Sequence, residues 1–405
     1  MLNLYEIAGN EWPMYAKRLT DITPFRVMEL MERAKLLEAD GKHVVHFEVG
    51  EPDFATAGPI VTAGERALAA GETKYTQALG IPQLRERIAR FYADEVGVSV
   101  PAERIGVTSG ASGGRLRLCG LMLDPGDELL MSDPGYPCNE VFVGLVNAIP
   151  RRVPVTAQSH YQIQLEDLVE NWTARTRGVL LASPANPTGA VIGRDHLSRL
   201  TAEAHGRGGF VLLDEIYQGL IYADSPEYRS GLEVDQDIFI LNSFSKYFGM
   251  TGWRLGWLVV AESALSGITR LAQNLFISPS SIAQHAALAA FEPAAMEIHE
   301  ARRQKFAARR NMLAQGMASL GFTVPHLPDG AFYLYVDISR TGMKAEEFCW
   351  RLIDEYQVAV TPGSDFGTFN ADQFVRFAYT TADEDIHLGV ERLGKALVDW
   401  GIGCG

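Results

Sequence analysis

Cysteine is scarce and scattered. Cys119, Cys138, Cys349 and Cys404 are the only four in 405 residues, and no two form a C-x-x-C pair. That spacing argues against a zinc cluster or a dithiol redox motif. So few thiols in so long a chain read as a reduced, cytoplasmic protein. Long apolar runs are also missing: none reaches the about 18 residues of a membrane span. The first residues, MLNLYEIAGNEWPMYAKRL, mix acidic and aromatic side chains and do not read as a signal peptide. Basic residues are outnumbered, 36 Lys and Arg against 50 Asp and Glu, for a net charge of −14. Phosphate backbones and anionic membranes need clustered cations, so neither is an expected partner. Repeats, low-complexity stretches and metal-ligand spacings are absent too.

What is present is an ordinary globular composition, 47% hydrophobic and 21% charged, in a chain long enough for two domains. Phe25, Met28, Met31 and Leu36 recur at roughly helical spacing. They predict a helix over 23–39, capped by Asp21 or Thr23 and stopped by Asp40-Gly41. A strand over 43–49 follows. Between about 60 and 260, short continuous apolar runs alternate with helical stretches: 104–108, 128–131, 178–182 (GVLLA), 210–213 (FVLL), 238–241 and 255–260. Strands buried on both faces look like this, so the pattern predicts an α/β domain with a mostly parallel sheet. A long helix over 292–321 should place Ile298, Phe306, Leu313, Met317 and Leu320 near one stripe. Strands over 331–336 and 373–378 predict a smaller α+β domain.

The strings that carry chemistry lie at the ends of these runs. The densest is Asn242-Ser243-Phe244-Ser245-Lys246-Tyr247, continuing to Gly252-Trp253-Arg254-Leu255-Gly256. A lysine among small residues, with serines before it and an arginine eight residues on, suits a phosphorylated aldehyde. The amine forms a Schiff base, while the hydroxyls and guanidinium hold the phosphate. Alone, such a lysine reads as an exposed loop residue. Asp214-Glu215-Ile216-Tyr217 follows an apolar strand, where ligands gather in open α/β sheets; the plainer reading of Asp214 is a helix cap. Asn186-Pro187-Thr188-Gly189 is otherwise a turn. It stands 28 residues before Asp214, which stands 32 before Lys246. Ser109–Gly114 opens a helix after a strand, a place for phosphate. Arg376 lies inside Phe374-Val375-Arg376-Phe377-Ala378. An arginine there is costly without an anion, unless the strand is an edge strand and it faces water.

Together these strings resemble the class I/II aminotransferases of pyridoxal 5′-phosphate (PLP) fold type I, the aspartate aminotransferase-like enzymes, from about Asp21 to the C-terminus. The resemblance implies a seven-stranded-type, mostly parallel sheet in a large PLP-binding domain (56–295). It also implies a C-terminal small domain (296–405) and an N-terminal segment (1–55) serving the small domain and a dimer contact. It implies that Lys246 carries PLP and moves the proton, that Asp214 pairs with the pyridine nitrogen, and that Tyr217 and Asn186 donate to the ring oxygen. Ala111, Ser112, Ser243 and Arg254 would hold the phosphate, and Tyr136 would stack on the ring. Tyr75 would reach the phosphate of a neighbouring subunit, which implies a homodimer with shared sites. Gly50, Asn186 and Arg376 would bind the substrate α-carboxylate. The implied reaction moves an amino group from an amino acid to a 2-oxo acid.

The chain departs from that pattern in places. Gly113-Gly114-Arg115 stands where relatives more often have Gln-Ala or Glu-Ala, and two glycines in a first turn are poor helix formers. Asn139 stands where many have a histidine or another group supporting the aspartate. Ser112 takes the place of a lysine found in some relatives, which argues mildly against a dedicated aspartate enzyme. A PLP lyase (a C–S β-lyase or an aminocyclopropane-carboxylate synthase-like enzyme) shares the same lysine, aspartate and arginine. A PLP-binding regulator without turnover would need a DNA-binding module, for which the chain shows no segment and an unsuitable charge.

Overall fold

In the computed structural model the described residues are 16–225 and 229–403, so Cys404 lies outside them. The strands are β1 (Val45–His46), β2 (Ile105–Thr108), β3 (Glu128–Asp133), β4 (Ile149–Pro154), β5 (Thr176–Ala182), β6 (Phe210–Asp214), β7 (Phe239–Ser243), β8 (Gly256–Val259), β9 (Tyr333–Asp337), β10 (Val358–Ala359), β11 (Thr361–Pro362) and β12 (Phe374–Ala378). The helices are α1 (Arg26–Ala39), α2 (Gly58–Ala69), α3 (Pro82–Phe91), α4 (Gly110–Met122), α5 (Cys138–Leu145), α6 (Leu165–Asn171), α7 (Arg194–Gly206), α8 (Leu265–Leu275), α9 (Ser281–Leu288), α10 (Pro293–Ser319), α11 (Ala345–Tyr356) and α12 (Asp383–Asp399).

Seven strands form one sheet in the order β2-β8-β7-β6-β5-β3-β4. It is parallel except for β8, which runs antiparallel to both neighbours. Two antiparallel steps return β2 to the common direction. Strands β2, β3, β5, β6 and β7 therefore end at one edge of the sheet, and β8 begins there. Apolar clusters cover both faces: Val107, Val179, Val211 and Ile240 on one side, Leu129, Leu180, Leu212 and Leu241 on the other. A third core joins Leu30, Val45 and Phe47 to Leu334, Val358, Phe377 and Leu393. It contains the antiparallel sheet β11-β12-β9 and the parallel pair β1-β10.

Several expectations need correction. The Asp21 side chain lies outside the described residues, the helix predicted from Thr23 begins at Arg26, and Thr23 does not supply its cap. The Asp365 carboxylate does, accepting from the Arg26 and Val27 amides at 2.9 Å each. A carboxylate from far along the chain satisfies the orphan amides as well as a local one. The buried stripe of α1 is Leu30, Ala34 and Leu37, whereas Met28 and Leu36 are exposed. The apolar side chains sit on two faces, and spacing alone picked the outer one. The strand over 43–49 shrinks to two residues because β10 pairs with it only at Val45 and His46. In α10, Phe306, Leu313 and Met317 are buried as expected, while Ile298 and Leu320 are only partly covered.

His46 ties this third core together electrostatically. Its Nδ1 lies 2.7 Å from Glu48 and its Nε2 lies 3.1 Å from Glu38 on α1. The bond to Glu48 outweighs burial and raises its pKa from 6.5 to about 9. A folded-state pKa above the unfolded one means that the stabilisation is complete below about 6.5 and is lost as pH rises through about 9. Thermal melts of wild type and His46→Gln should therefore differ at pH 6 and converge near pH 10. A difference independent of pH would refute the charge argument.

Candidate active site

Strand direction assembles the site. The loops that leave β2, β3, β5, β6 and β7, with the entry to β8, bring Ser109–Ser112, Tyr136, Asn186, Asp214, Lys246 and Arg254 to one edge. Ligands of open α/β sheets bind at such C-terminal edges. The β1 loop and β12 face this edge from the smaller core and add Gly50 and Arg376.

Lys246 is half-buried, and its ammonium donates to the Gly50 carbonyl at 2.6 Å. Burial lowers its pKa from 10.5 to about 8. Arg376 and Arg254 push in the same direction, against Glu51 and Asp214. Gly50 is required where it stands, because a Cβ would lie 2.1 Å from the Tyr333 hydroxyl. That hydroxyl also lies 2.7 Å from the Tyr217 hydroxyl. Tyr217 is buried, and burial holds its proton well above the ordinary phenol range.

Arg376 is neither on an edge strand nor exposed. Strand β12 is central in its sheet, and the guanidinium is buried between the rings of Tyr333 and Phe366, 4.3 and 4.7 Å from their centroids. It donates to Asn186 Oδ1 at 3.0 Å and to the Glu48 carbonyl at 2.6 Å. Its Nε has no partner among the described residues. Because arginine only donates, Asn186 presents its oxygen to Arg376 and keeps its NH2 group for another acceptor.

Asp214 is buried at the end of β6. Its Oδ1 accepts from the Ile216 amide at 3.1 Å, in a short Asx turn rather than a helix cap. Its Oδ2 forms an ion pair with Arg115, a residue of α4 that is 1% exposed. The Arg115 guanidinium also lies 5.2 Å from the centre of the Tyr136 ring. Gly114 allows α4 to sit this close to the sheet, since a Cβ there would lie 2.6 Å from Leu241.

The described residues fit PLP. Helix α4 starts at Gly110 with φ +67° and has no side-chain cap. The Arg254 guanidinium approaches that start so closely that a Cβ on Gly110 would lie 2.6 Å from it. A helix N-terminus and a guanidinium are both positive, and an anion between them relieves the repulsion. The Ala111 and Ser112 amides lie in this first turn, and Gly256 packs against the Ala111 nitrogen. Ser243 and Ser245 line the approach from β7, the Ser245 amide donating to Ser243 Oγ at 3.0 Å. A cleft of about 830 Å³ opens beside Tyr136, bounded by Phe25, Arg26, Asn139, Arg152 and Phe366.

Tyr75 is the predicted residue left out of this cluster, with 80% of its surface exposed. Two residues of the cluster escaped the sequence reading. Tyr333 opens β9, whose first four residues are all buried, and nothing local sets it apart. Arg115 did carry a signal, a charge amid Gly113-Gly114 and the apolar turns of α4.

Known proteins resemble this chain over most of its length. A family model described as aminotransferase class I and II matches residues 42–393. A (5-formylfuran-3-yl)methyl phosphate transaminase of Methanocaldococcus jannaschii is 35% identical over 95% of this chain and 100% of its own length. A valine–pyruvate aminotransferase of Mycobacterium tuberculosis is 33% identical over 93% of this chain and 97% of its own. The crystal structure of an aminotransferase from Mycobacterium tuberculosis superposes with a TM-score of 0.91 at 32% identity, covering 95% of this chain and 99% of that one.

Proposed function

The chain belongs to the class I and II aminotransferase family and is a PLP-dependent aminotransferase; from that premise we propose how its residues divide the work. When bound, PLP supplies an aldehyde carbon that carries the amino group and a ring that accepts the electrons released at the substrate Cα. Lys246 would hold the cofactor covalently and, as the free amine, would act as the base at the substrate Cα. Its low pKa suits that work, since a base is most effective when poised near the working pH. Asp214 would pair with the ring nitrogen. Tyr217 and the NH2 group of Asn186 would donate to the ring oxygen. Tyr136 would cover the ring face. Ala111, Ser112, Ser243 and Arg254 would hold the phosphate. Arg376 binds the substrate α-carboxylate with Gly50 and Asn186, and the substrate side chain extends toward the cleft beside Tyr136.

The observation that carries this reading is the amine of Lys246 held among Asp214, Arg254 and Arg376 with burial lowering its pKa. Relatives named for such different substrates leave the donor open. The 1–55, 56–295 and 296–405 divisions follow the same reading, as does a homodimer in which Tyr75 serves the partner's phosphate; its exposure leaves it available. A cytoplasmic setting suits the free thiols of Cys119, Cys138 and Cys349. Among the described residues no helix is long and apolar enough to cross a membrane.

The test is a half-reaction. An amino acid added alone should discharge the visible absorbance of the bound cofactor, and a 2-oxo acid should restore it. Stoichiometric release of ammonia and pyruvate from a β-substituted amino acid, with no such cycle on a broad panel, would replace the transfer reaction by elimination.

A further inference from the structure

Asp214 does not meet the cofactor alone. Its Oδ2 is already paired with Arg115, deep in the protein and out of solvent. Asn139, the position at which a supporting group is expected, is buried, and its side-chain oxygen has no partner among the described residues. Support for the aspartate comes instead from α4, through the residue that follows Gly113-Gly114.

We propose that Arg115 is a positioning residue that acts through Asp214 to weaken the hold of this carboxylate on the ring-nitrogen proton. This rests on the assignment of Asp214 to the ring nitrogen. Two cations then share one carboxylate in a site of low dielectric. Each lowers the affinity of the other, because the second meets a charge that is already neutralised. Arg115 orients Asp214 before the cofactor arrives, and the Ile216 amide fixes the other oxygen at 3.1 Å. Arginine is suited to this role because it stays charged at every working pH and can stack while it pairs. Here it lies over the Tyr136 ring, 5.2 Å from its centre.

The consequence is measurable without turnover. Apoprotein is titrated with PLP and with its 1-deaza analogue, in which C–H replaces the ring nitrogen. Both carry the same aldehyde and phosphate, so the ratio of their affinities isolates the nitrogen. Arg115→Gln should raise the preference for PLP over the analogue by about tenfold or more, since the ring nitrogen becomes the sole cation for a buried carboxylate. A purely structural arginine would, on removal, weaken both ligands equally, so an unchanged or reduced ratio overturns the proposal. Arg115→Lys keeps the charge but not the stacking plane, and should raise the ratio less than Arg115→Gln does. If the Gln variant does not fold, Arg115→Met, which keeps the apolar stem without the charge, should raise the ratio in its place, and an unchanged ratio there overturns the proposal. Asp214→Asn separates the two layers. If it leaves the ratio at the wild-type value, Asp214 is not the nitrogen's partner and both readings fall. If it changes the ratio while Arg115→Gln does not, only the role of Arg115 falls.

Discussion

Lys246→Ala should bind PLP without a covalent link and lose turnover by on the order of 10⁴-fold, the upper range for one general base, with more lost for the missing nucleophile. The two functions fail together because one nitrogen performs both. The measurements are borohydride trapping, which should label wild type at Lys246 and leave the variant unlabelled, and the visible spectrum of the reconstituted protein. Retention of a trapped adduct would move the assignment to another amine. The lowered pKa adds a second signature. At about 8, the Lys246 amine is about one-tenth neutral at pH 7, against a few parts in ten thousand for an ordinary lysine. The rate at which apoprotein captures pyridoxal should rise with pH and level off above about 8. Small primary amines should partly restore proton transfer to Lys246→Ala, more so for the more basic ones. A variant that had lost activity through misfolding would not respond.

The large sheet could be read in advance because its strands are buried on both faces, and runs such as GVLLA and FVLL record that burial directly. The same rule hid β4: Ile149–Pro154 carries Arg151 and Arg152 on the outermost strand, where one side meets solvent. Strands β10 and β11 have two residues each, too few for any period. The cap on α1 was invisible for another reason. Asp365 lies 339 residues from Arg26, and only the folded chain brings them together. The site follows the same division. Lys246, Asp214 and Asn186 stand in loops whose local strings are unusual, so they could be found by inspection. Arg115 and Tyr333 act through contacts across elements. The face of α4 that turns toward Asp214 depends on how closely Gly114 lets the helix approach the sheet. Periodicity carries no information about that distance.

Arg376→Leu should cost about 3 kcal/mol of binding to the substrate carboxylate, roughly a hundredfold in kcat/KM. The guanidinium is held before any substrate arrives. Asn186 and the Glu48 carbonyl fix two of its nitrogens, and Tyr333 and Phe366 enclose its faces. The unpartnered Nε is the donor left to an incoming anion. A carboxylate is bound to this group before and during proton transfer, so most of the loss should appear in KM. Arg376→Lys keeps the charge but not the fork, and should recover only part of the affinity. The discriminating measurement uses amines that lack the α-carboxylate. Wild type should reject them strongly, and Arg376→Leu should treat them almost as it treats amino acids, because the anion no longer has a partner. Loss of activity with the discrimination intact would show that Arg376 serves only to hold Asn186 and the β1 loop in place, and the carboxylate site would then have to be sought elsewhere along this edge.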